Sequence, residues 1–278
     1  MRLALFDEYR LGLVDPDDET LLDVTPALTD HDPGLGAGFW VRMCRDMPSV
    51  KPRIEEVAAS ATALPLANVT LRAPALNPSK IIAAAFNYSG HVDEMKPRGV
   101  SGWMLNFDIF LKAPSSITDP GSRIVLPKLD GEIHYEGELA CIIGKGGSNI
   151  PEDEALDHVV GWTILLDMTL RGEGDRSRRK SYDGFTPMGP WMVTADAIPS
   201  WEDFKVKLWL NGEVRQDVKA SEMITSVPEL IAHASSVMTL LPGDMIATGA
   251  PPGVGSVKAG DHVNATISDI GTLEAWFD

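Results

Sequence analysis

The chain has 278 residues, of which 44% are hydrophobic and 23% are charged. This composition is typical of a globular protein with one large domain, or with a large and a small one. Its 40 acidic residues outnumber the 24 lysines and arginines, which gives a formal net charge of −16 at pH 7. The negative charge argues against nucleic acid as a partner, because nucleic-acid affinity depends on clustered lysine and arginine.

Cysteine content and hydropathy indicate where the protein resides. Cys44 and Cys141 are too few for a disulfide framework or a thiolate metal site. The start, "MRLALFDEYR", places Asp7 and Glu8 before any signal-peptide core could form. Apolar runs such as "GWTILLDM" are far shorter than the ~20 residues that span a bilayer. We therefore expect a cytoplasmic protein without a membrane partner.

The sequence pattern changes near residue 75. Up to this point, short apolar stretches alternate with turn residues around one helix-like piece, "RIEEVAASATAL". The passage "LRAPALNPSK" follows and predicts a linker, because each proline biases the preceding residue toward extended geometry. We expect a small N-terminal α/β domain over residues 1–75 and a larger domain over residues 76–278.

The larger domain is expected to be rich in strands. "KIIAAAF" and "FLKAP" predict short strands, and the glycine-containing residues 88–110 between them predict a mobile segment. Proline and acidic residues in "NIPEDEALDHVVGW" indicate a helix start, and "SVPELIAHASSVM" is helix-like. Because strand-sized runs dominate without βαβ alternation, an α+β, β-rich fold is favoured over a doubly wound sheet.

The run "GEIHYEGELACIIGKG" at residues 131–146 carries two acids at the start of an apolar strand. Side chains alternate along a strand, so Glu136 and Glu138 are expected on one face together with His134. Their spacing of about 6.6 Å would let both carboxylates share one ion. The alternative is an amphipathic strand with a solvated acidic face. Against it, "ACII" is apolar on both faces, and burying two like charges where a core begins would be costly without a compensating cation.

A third acid, Asp167, ends the next apolar run and is followed by Arg171. A single aspartate at a strand end is more often a turn former. Three oxygen donors with no cysteine nevertheless describe a site for a hard cation such as Mg²⁺. In an acidic protein, such a cation is also the simplest way to create positive charge for an anionic substrate.

A series of motifs runs through the larger domain, in order and at similar spacing to one known family. They are "FNYSGHVDE", "HYEGELACIIGK", "EALDHVVGWTILLDMTLR", "KSYDGFTPMGPWMVTADAI", "LNGEVRQ" and "LLPGDMIATGAPPGVG". Over about residues 80–275 the chain thereby resembles the fumarylacetoacetate hydrolase family. The resemblance implies a mixed β-sandwich roll, usually in homodimers, with an active site around one Mg²⁺ or Mn²⁺. The first 75 residues resemble the family's variable N-terminal domain only loosely.

The resemblance also implies roles for individual residues. The implied metal ligands are Glu136, Glu138 and Asp167. The implied catalytic groups are a His91–Glu94 dyad on a closing segment, and Lys180 beside the developing oxyanion. The implied substrate contacts are Arg171, Gln216, Thr248 and Tyr88.

Other interpretations stay open for most of these side chains. Lys180 would also suit a solvated basic loop, and Arg171 a surface pair with Glu173. The dyad residues stand three apart, which on a helix is also the spacing of a plain surface pair. Amides and hydroxyls near turns usually satisfy backbone groups, which would explain Gln216 and Thr248.

Two departures from the family pattern leave the substrate open. Ala250 stands where many members have the second threonine of Thr-Gly-Thr-Pro. After the metal aspartate, "RGEGDRS" replaces Arg-Asp-x-x-Gln. The loop thereby lacks the amide and gains Arg176, Arg178 and Arg179.

The family's reactions mostly pass through a metal-bound enolate, which implies a small 2-oxo acid as substrate. We predict a hydrolase that cleaves a carbon–carbon bond of acylpyruvate-type (1,3-dioxo) acids, as in aromatic degradation. The dyad would activate water, and residues 88–105 would close over the substrate. One alternative is a lyase, either a decarboxylase of oxaloacetate-like diacids or a hydratase or isomerase of unsaturated 2-oxo acids. Another is a non-catalytic metal-binding relative.

Overall fold

The structure, a computed structural model, describes residues 1–15, 17, 19–98 and 107–278. Strands β1 to β20 are Arg2–Phe6, Arg10–Val14, Thr20–Asp23, Ala63–Pro65, Leu71–Arg72, Ile81–Ala85, Asp108–Lys112, Ile117–Thr118, Arg123–Ile124, Ile133–Tyr135, Gly137–Ile143, Val159–Leu166, Thr169–Leu170, Thr186–Thr194, Lys205–Leu210, Glu213–Lys219, Met245–Ala247, Gly255–Ser256, His262–Ile267 and Gly271–Phe277. Helices α1 to α5 are Gly38–Arg45, Met47–Ala58, Ser89–Met95, Arg176–Arg179 and Val227–Val237. Each helix of this described part is too short or too polar to span a bilayer.

A 12-stranded sheet forms the centre of the molecule. Its main path is β4-β3-β2-β1-β14-β12-β11-β17-β6-β7, with β5 beside β1 and β8 beside β14. Strands β11, β12 and β14 are buried along their whole length. Along β11, Leu139 and Cys141 face one core, whereas Ala140 and Ile142 face the other. A strand covered on both faces is apolar throughout, which explains the run "ACII".

A second sheet of five strands, in the order β16-β15-β19-β20-β9, packs on one face of the large sheet. Trp162 of β12 and Phe204, just before β15, meet edge to face with ring centroids 5.7 Å apart. A small third sheet, β13-β10-β18, lies next to the start of β11. This strand-rich α+β sandwich confirms the predicted fold class.

The first 75 residues add strands to the large sheet and helices to its other face. Arg2 of β1 pairs with Val193 of β14. Trp40 of α1 and Ile54 of α2 lie in one core with Met192 of β14. The helix predicted at residues 53–64 is present only as far as Ala58, within α2, and Ala63–Pro65 forms β4 instead. Helix α1 was not predicted, because its first turn has no acid and its N-cap makes no side-chain hydrogen bond. The domain division at residue 75 stays a prediction.

Most element predictions around the site are confirmed. "KIIAAAF" forms β6, "FLKAP" contributes β7, and "SVPELIAHASSVM" forms α5 with a capping box from Ser226 and Glu229. The segment Glu152–His158 is a 3-10 helix. The predicted mobile segment, residues 88–110, begins with α3 and a 3-10 turn to residue 98. Residues 99–106, including Gly99 and Gly102, lie outside the described residues.

One turn at the edge of the candidate site requires a glycine. Gly253 has φ +99°, and a Cβ added there would lie 1.8 Å from the carbonyl oxygen of Arg215. Its N–H donates to Glu94 Oε2 at 3.3 Å, and its carbonyl accepts from the Tyr135 hydroxyl at 3.1 Å. Any residue with a β-carbon would clash with the backbone at this position and would also disfavour this φ. Only glycine can therefore make the two hydrogen bonds that link α3 to β10 at this point.

Gly253→Ala should therefore lower the free energy of unfolding much more than the matched substitution Gly260→Ala. Gly260 also has positive φ, but a Cβ there meets nothing within 4 Å. We expect Gly260→Ala to cost about 1–2 kcal/mol from backbone strain. Gly253→Ala should cost about 1–3 kcal/mol more from overlap. Urea denaturation of both variants measures the difference, and equal costs would show that the turn relaxes freely.

Candidate metal centre

Three acidic side chains converge at the edge of the large sheet. Glu136 joins β10 to β11, Glu138 lies in β11, and Asp167 follows β12. Gly137 pairs with Leu166 across β11 and β12, which places Asp167 beside Glu136, and the Asp167 N–H donates to the Glu136 carbonyl at 2.8 Å. One carboxylate oxygen from each acid lies within 4.8 Å of the other two. The predicted trio therefore comes together in space.

The local backbone differs from the predicted single strand in one respect. Ile133–Tyr135 belongs to the three-stranded sheet, and Gly137–Ile143 to the 12-stranded sheet, so the chain changes sheet at Glu136. His134, expected on the same face as the acids, instead contacts Glu132 Oε2 through Nε2 at 2.9 Å. Glu136 and Glu138 are nevertheless both buried, and their carboxylate oxygens lie close together.

The three carboxylates are at most 3% exposed, so their charges need compensation. Lys180 supplies part of it, since its Nζ donates to Glu136 Oε2 and to Asp167 Oδ2, both at 2.6 Å. Arg171 donates from Nη2 to Glu136 Oε1 at 2.5 Å, rather than pairing with Glu173 at the surface. Lys180 is thus not a member of a solvated loop.

Lys112 is a further member of this cluster that sequence reasoning missed. It is 1% exposed, and its Nζ donates to Asp167 Oδ1 at 2.6 Å. The backbone carbonyls of Lys180 and Phe185 accept its other two protons at 2.5 and 3.0 Å. The available signal was its phase in "DIFLK", where it lies two residues after buried Phe110 and thus faces inward.

The two glutamates of the trio have opposite electrostatic surroundings. Burial would raise the pKa of Glu136, but the charges of Lys180 and Arg171 outweigh it and hold that pKa well below its usual range. Burial, followed by the negative charge of Asp167, raises the pKa of Glu138 well above its usual range. Glu138 is therefore the carboxylate least compensated by the protein itself.

The hydrogen bonds of Glu138 lead to the same conclusion. Its Oε2 accepts the Gly249 N–H at 2.8 Å. Its Oε1 is buried and has no hydrogen-bond partner among the described residues. A buried carboxylate oxygen without a donor, beside two further carboxylates, fits a hard divalent cation that takes oxygen ligands. The residues present are thus suited to Mg²⁺ or Mn²⁺.

The predicted dyad lies on α3, at the same edge of the sheet. Ala247 of β17 pairs in parallel with Ala83 of β6 and antiparallel with Ala140 of β11. The end of β6, which leads into α3, therefore lies beside the start of β11. His91 Nδ1 and Glu94 Oε2 are 3.3 Å apart. His91 is buried, so this is not a plain surface pair.

The side chains of Gln216 and Thr248 bind backbone groups. Gln216 Oε1 accepts the Gly137 N–H at 2.9 Å, and its Nε2 donates to the Pro251 carbonyl at 2.8 Å. Thr248 Oγ1 donates to the Leu139 carbonyl at 2.9 Å. Both residues thus support the strands that carry the acids, and the substrate contacts assigned to them stay predictions.

Tyr88 is the N-cap of α3, and Asn87 anchors the chain just before it. The substrate contact assigned to Tyr88 stays a prediction. Tyr88 is buried, and burial together with the Glu138 charge raises the pKa of its phenol. Asn87 Nδ2 donates to the carbonyls of Thr225 and Thr248 at 2.9 and 2.8 Å, and its Oδ1 accepts the Thr225 N–H at 2.6 Å. Asn87 belongs to the motif "FNYSGHVDE", but its role as the anchor of the helix was not predicted.

Comparisons with known proteins agree with this geometry. The family model described as the fumarylacetoacetate (FAA) hydrolase C-terminal domain matches residues 80–277. A maleylpyruvate hydrolase of Aquipseudomonas alcaligenes is 40% identical over 291 residues, which cover 98% of this chain and 98% of that protein. An oxaloacetate tautomerase of Bacillus subtilis is 41% identical over 222 residues, which cover 75% of this chain and 73% of that protein.

A solved structure matches the whole fold. The maleylpyruvate hydrolase from Sphingobium sp. SYK-6, crystallised in complex with manganese (II) ion and pyruvate, has a TM-score of 0.88 and 39% sequence identity to this chain. The match covers 100% of this chain and 98% of that one. Together with the family match over residues 80–277, it shows that the chain belongs to the fumarylacetoacetate hydrolase family.

Proposed function

We propose that the protein is a metal-dependent hydrolase that cleaves a carbon–carbon bond of an acylpyruvate-type 2-oxo acid. The observation that carries the proposal is the buried three-carboxylate cluster beside the His91–Glu94 pair, with one Glu138 oxygen that has no partner in the described part of the chain. The maleylpyruvate hydrolases that match almost the entire chain support it. Aromatic degradation, which yields such dioxo acids, is the proposed setting.

Glu136, Glu138 and Asp167 would hold Mg²⁺ or Mn²⁺ between them. When bound, the ion supplies a Lewis acid for the carboxylate and keto oxygens of a 2-oxo acid. Arg171, whose Nε is buried without a partner among the described residues, has a donor left for the substrate carboxylate. The chain's own residues thus orient the pyruvate part of the substrate.

Lys180 would stabilise the negative charge that develops on the keto oxygen. Burial would lower the pKa of Lys180, but the charges of Asp167 and Glu136 outweigh it and raise that pKa. The side chain therefore stays an ammonium and acts as a fixed positive charge in a water-poor site. Lys112, bound to Asp167 from the other side, would keep that carboxylate in place.

His91 would act as the general base for water. Glu94 accepts from the imidazole and orients it, and the opposite ring nitrogen takes a proton as water adds to the acyl carbonyl carbon. The bond from that carbon to the methylene of the pyruvate part then breaks. The electron pair of this bond forms the enolate of the pyruvate part, with the negative charge on the keto oxygen beside Lys180. The proton held by His91 then passes to the methylene carbon of this enolate, and the products are a carboxylic acid and pyruvate.

A lyase acting on oxaloacetate-like diacids is the second candidate. It would use the same cluster and Lys180 without an attacking water. The similarity to an oxaloacetate tautomerase over 75% of this chain favours keeping it, because that protein acts on a 2-oxo diacid.

We also propose a cytoplasmic homodimer, as the family resemblance implies. Both free cysteines are buried thiols, which suits a reducing compartment.

Removing one proposed ligand should weaken metal binding. Glu138→Gln should lower the affinity for Mn²⁺ by roughly 100-fold or more, because even the loss of a residue that only supports a metal ligand typically costs 10–100-fold. Isothermal titration calorimetry with MnCl₂ measures this directly. Glu132→Gln is the matched control, since Glu132 is exposed and absent from the cluster. Unchanged Mn²⁺ affinity in Glu138→Gln would refute the ligand assignment.

The dyad assignment separates hydrolysis from decarboxylation. His91→Ala should slow pyruvate release from acetylpyruvate by about 10²–10⁴-fold, because a positioned base contributes that much. Carbon dioxide release from oxaloacetate, which needs no attacking water, should change only a few-fold. The control is His233→Ala, at an exposed position of α5. Equal loss of both activities would count against the base role, and hydrolysis at the wild-type rate would exclude it.

A further inference from the structure

The short helix α4 connects the metal cluster to a basic segment of the loop. Asp175 caps its start by accepting the Arg178 N–H at 2.8 Å, and Lys180 follows its last residue. One end of α4 therefore positions Lys180 on the carboxylates, and the other end positions Arg176. Arg176 is one of the three arginines, with Arg178 and Arg179, that this loop carries where the family's usual amide is missing.

Arg176 differs from the other partly buried arginines of the loop in having unused donors. Arg171 binds Glu136, and Arg179 donates to the carbonyls of Leu170 and Gly174 at 3.0 and 3.3 Å. The guanidinium of Arg176 has no ion pair and no hydrogen bond within the described ranges 1–15, 17, 19–98 and 107–278. Its planar fork is therefore available for a carboxylate.

Two aromatic rings hold Arg176 next to the reactive groups. Its guanidinium carbon lies 5.7 Å from the ring centroid of Phe86 and 5.6 Å from that of Phe110. Phe86 stacks on His91, with centroids 5.7 Å apart, and Lys180 Nζ lies 5.0 Å from the centroid of Phe110. One ring thus separates Arg176 from the proposed base, and the other ring separates it from the proposed oxyanion group.

The backbone of Phe86 is held in an unusual conformation. Its φ is +54°, which is rare for a bulky residue and is normally maintained only where the surroundings fix it. The side chain of the next residue, Asn87, bridges to Thr225 and Thr248 and fixes this turn. The pair of aromatic rings formed by Phe86 and Phe110 is therefore held in place by the fold beside the site.

The positive charges of this loop are only partly neutralised. Burial, and then the charges of Arg171 and Arg176, lower the pKa of Arg179, whereas Glu136 and Asp175 offset only part of this effect. In a chain with a formal charge of −16, a local excess of guanidinium groups around a substrate site favours an anion.

We propose that Arg176 binds a second carboxylate at the acyl end of the substrate, so that the enzyme selects dianionic acylpyruvates. The inference rests on the proposed function and names the substrate class of the same site. The 2-oxo carboxylate would bind Arg171 and the divalent cation, and the acyl chain extends along Phe86 and Phe110. Its terminal carboxylate meets the unpaired fork of Arg176.

Binding of two unreactive 2-oxo acids of equal length tests the proposal without turnover. For the Mn²⁺-loaded wild type, calorimetry should show that 2-oxoadipate binds roughly 10–100-fold more tightly than 2-oxohexanoate, as expected for one charge-assisted contact. Arg176→Gln should abolish this preference and leave 2-oxohexanoate affinity within about two-fold. Arg176→Lys should retain part of it, because the charge remains but the fork is lost.

The matched control removes the same charge from the same helix. Arg178 is exposed, and Arg178→Gln should leave both affinities unchanged. If Arg176→Gln lowers the affinity for both ligands equally, Arg176 only supports the aromatic rings. If the wild type binds both ligands with equal affinity, there is no second carboxylate site. Either result overturns the proposal. Pyruvate release by the wild type is scored separately, both from acetylpyruvate and from a dianionic acylpyruvate such as maleylpyruvate. Absence of release from both would show that the hydrolase function fails, independently of this selectivity.

Discussion

Three carboxylates that repel one another are buried away from water, which costs free energy. The surrounding structure supplies the positive charges that offset most of this cost. Each acid is buried, and the protein places Lys180, Lys112 and Arg171 directly on them. The compensation is uneven, since Glu136 is paired with two cations while Glu138 receives one backbone N–H. The protein thus leaves one oxygen of Glu138 to be satisfied by something else, and a divalent cation is the chemistry that suits it.

Strand register is what brings these charges together. The pairing of β11 with β12 fixes Glu136 beside Asp167, and the pairing of β17 with β6 brings the start of α3 to the same edge. Gln216 and Asn87 then bind backbone groups on neighbouring segments and so keep the strands in place. A one-residue slip in β11 would turn Glu138 to the opposite face.

The sequence was informative where local patterns carried the signal. Alternation and apolar context predicted that Glu136 and Glu138 lie together at the start of a core, and Asp167 was added as a third acid at the end of the next apolar run. The resemblance supplied the proposed roles of His91 and Glu94. What could not be predicted depends on contacts between distant segments. Lys112 is a single lysine at a strand end, and nothing in its neighbours shows that Asp167 lies opposite. The change of sheet at Glu136 and the aromatic contacts of Arg176 likewise arise only when separate strands and loops pack together.

Diffraction from crystals grown with Mn²⁺, recorded at a wavelength where manganese scatters anomalously, tests the central claim most directly. The account predicts one strong anomalous peak within ligand distance of an oxygen from each of Glu136, Glu138 and Asp167, with Lys180 displaced from at least one of its two carboxylates. An anomalous map without a peak among these three side chains, at a manganese concentration that saturates binding in solution, would contradict it.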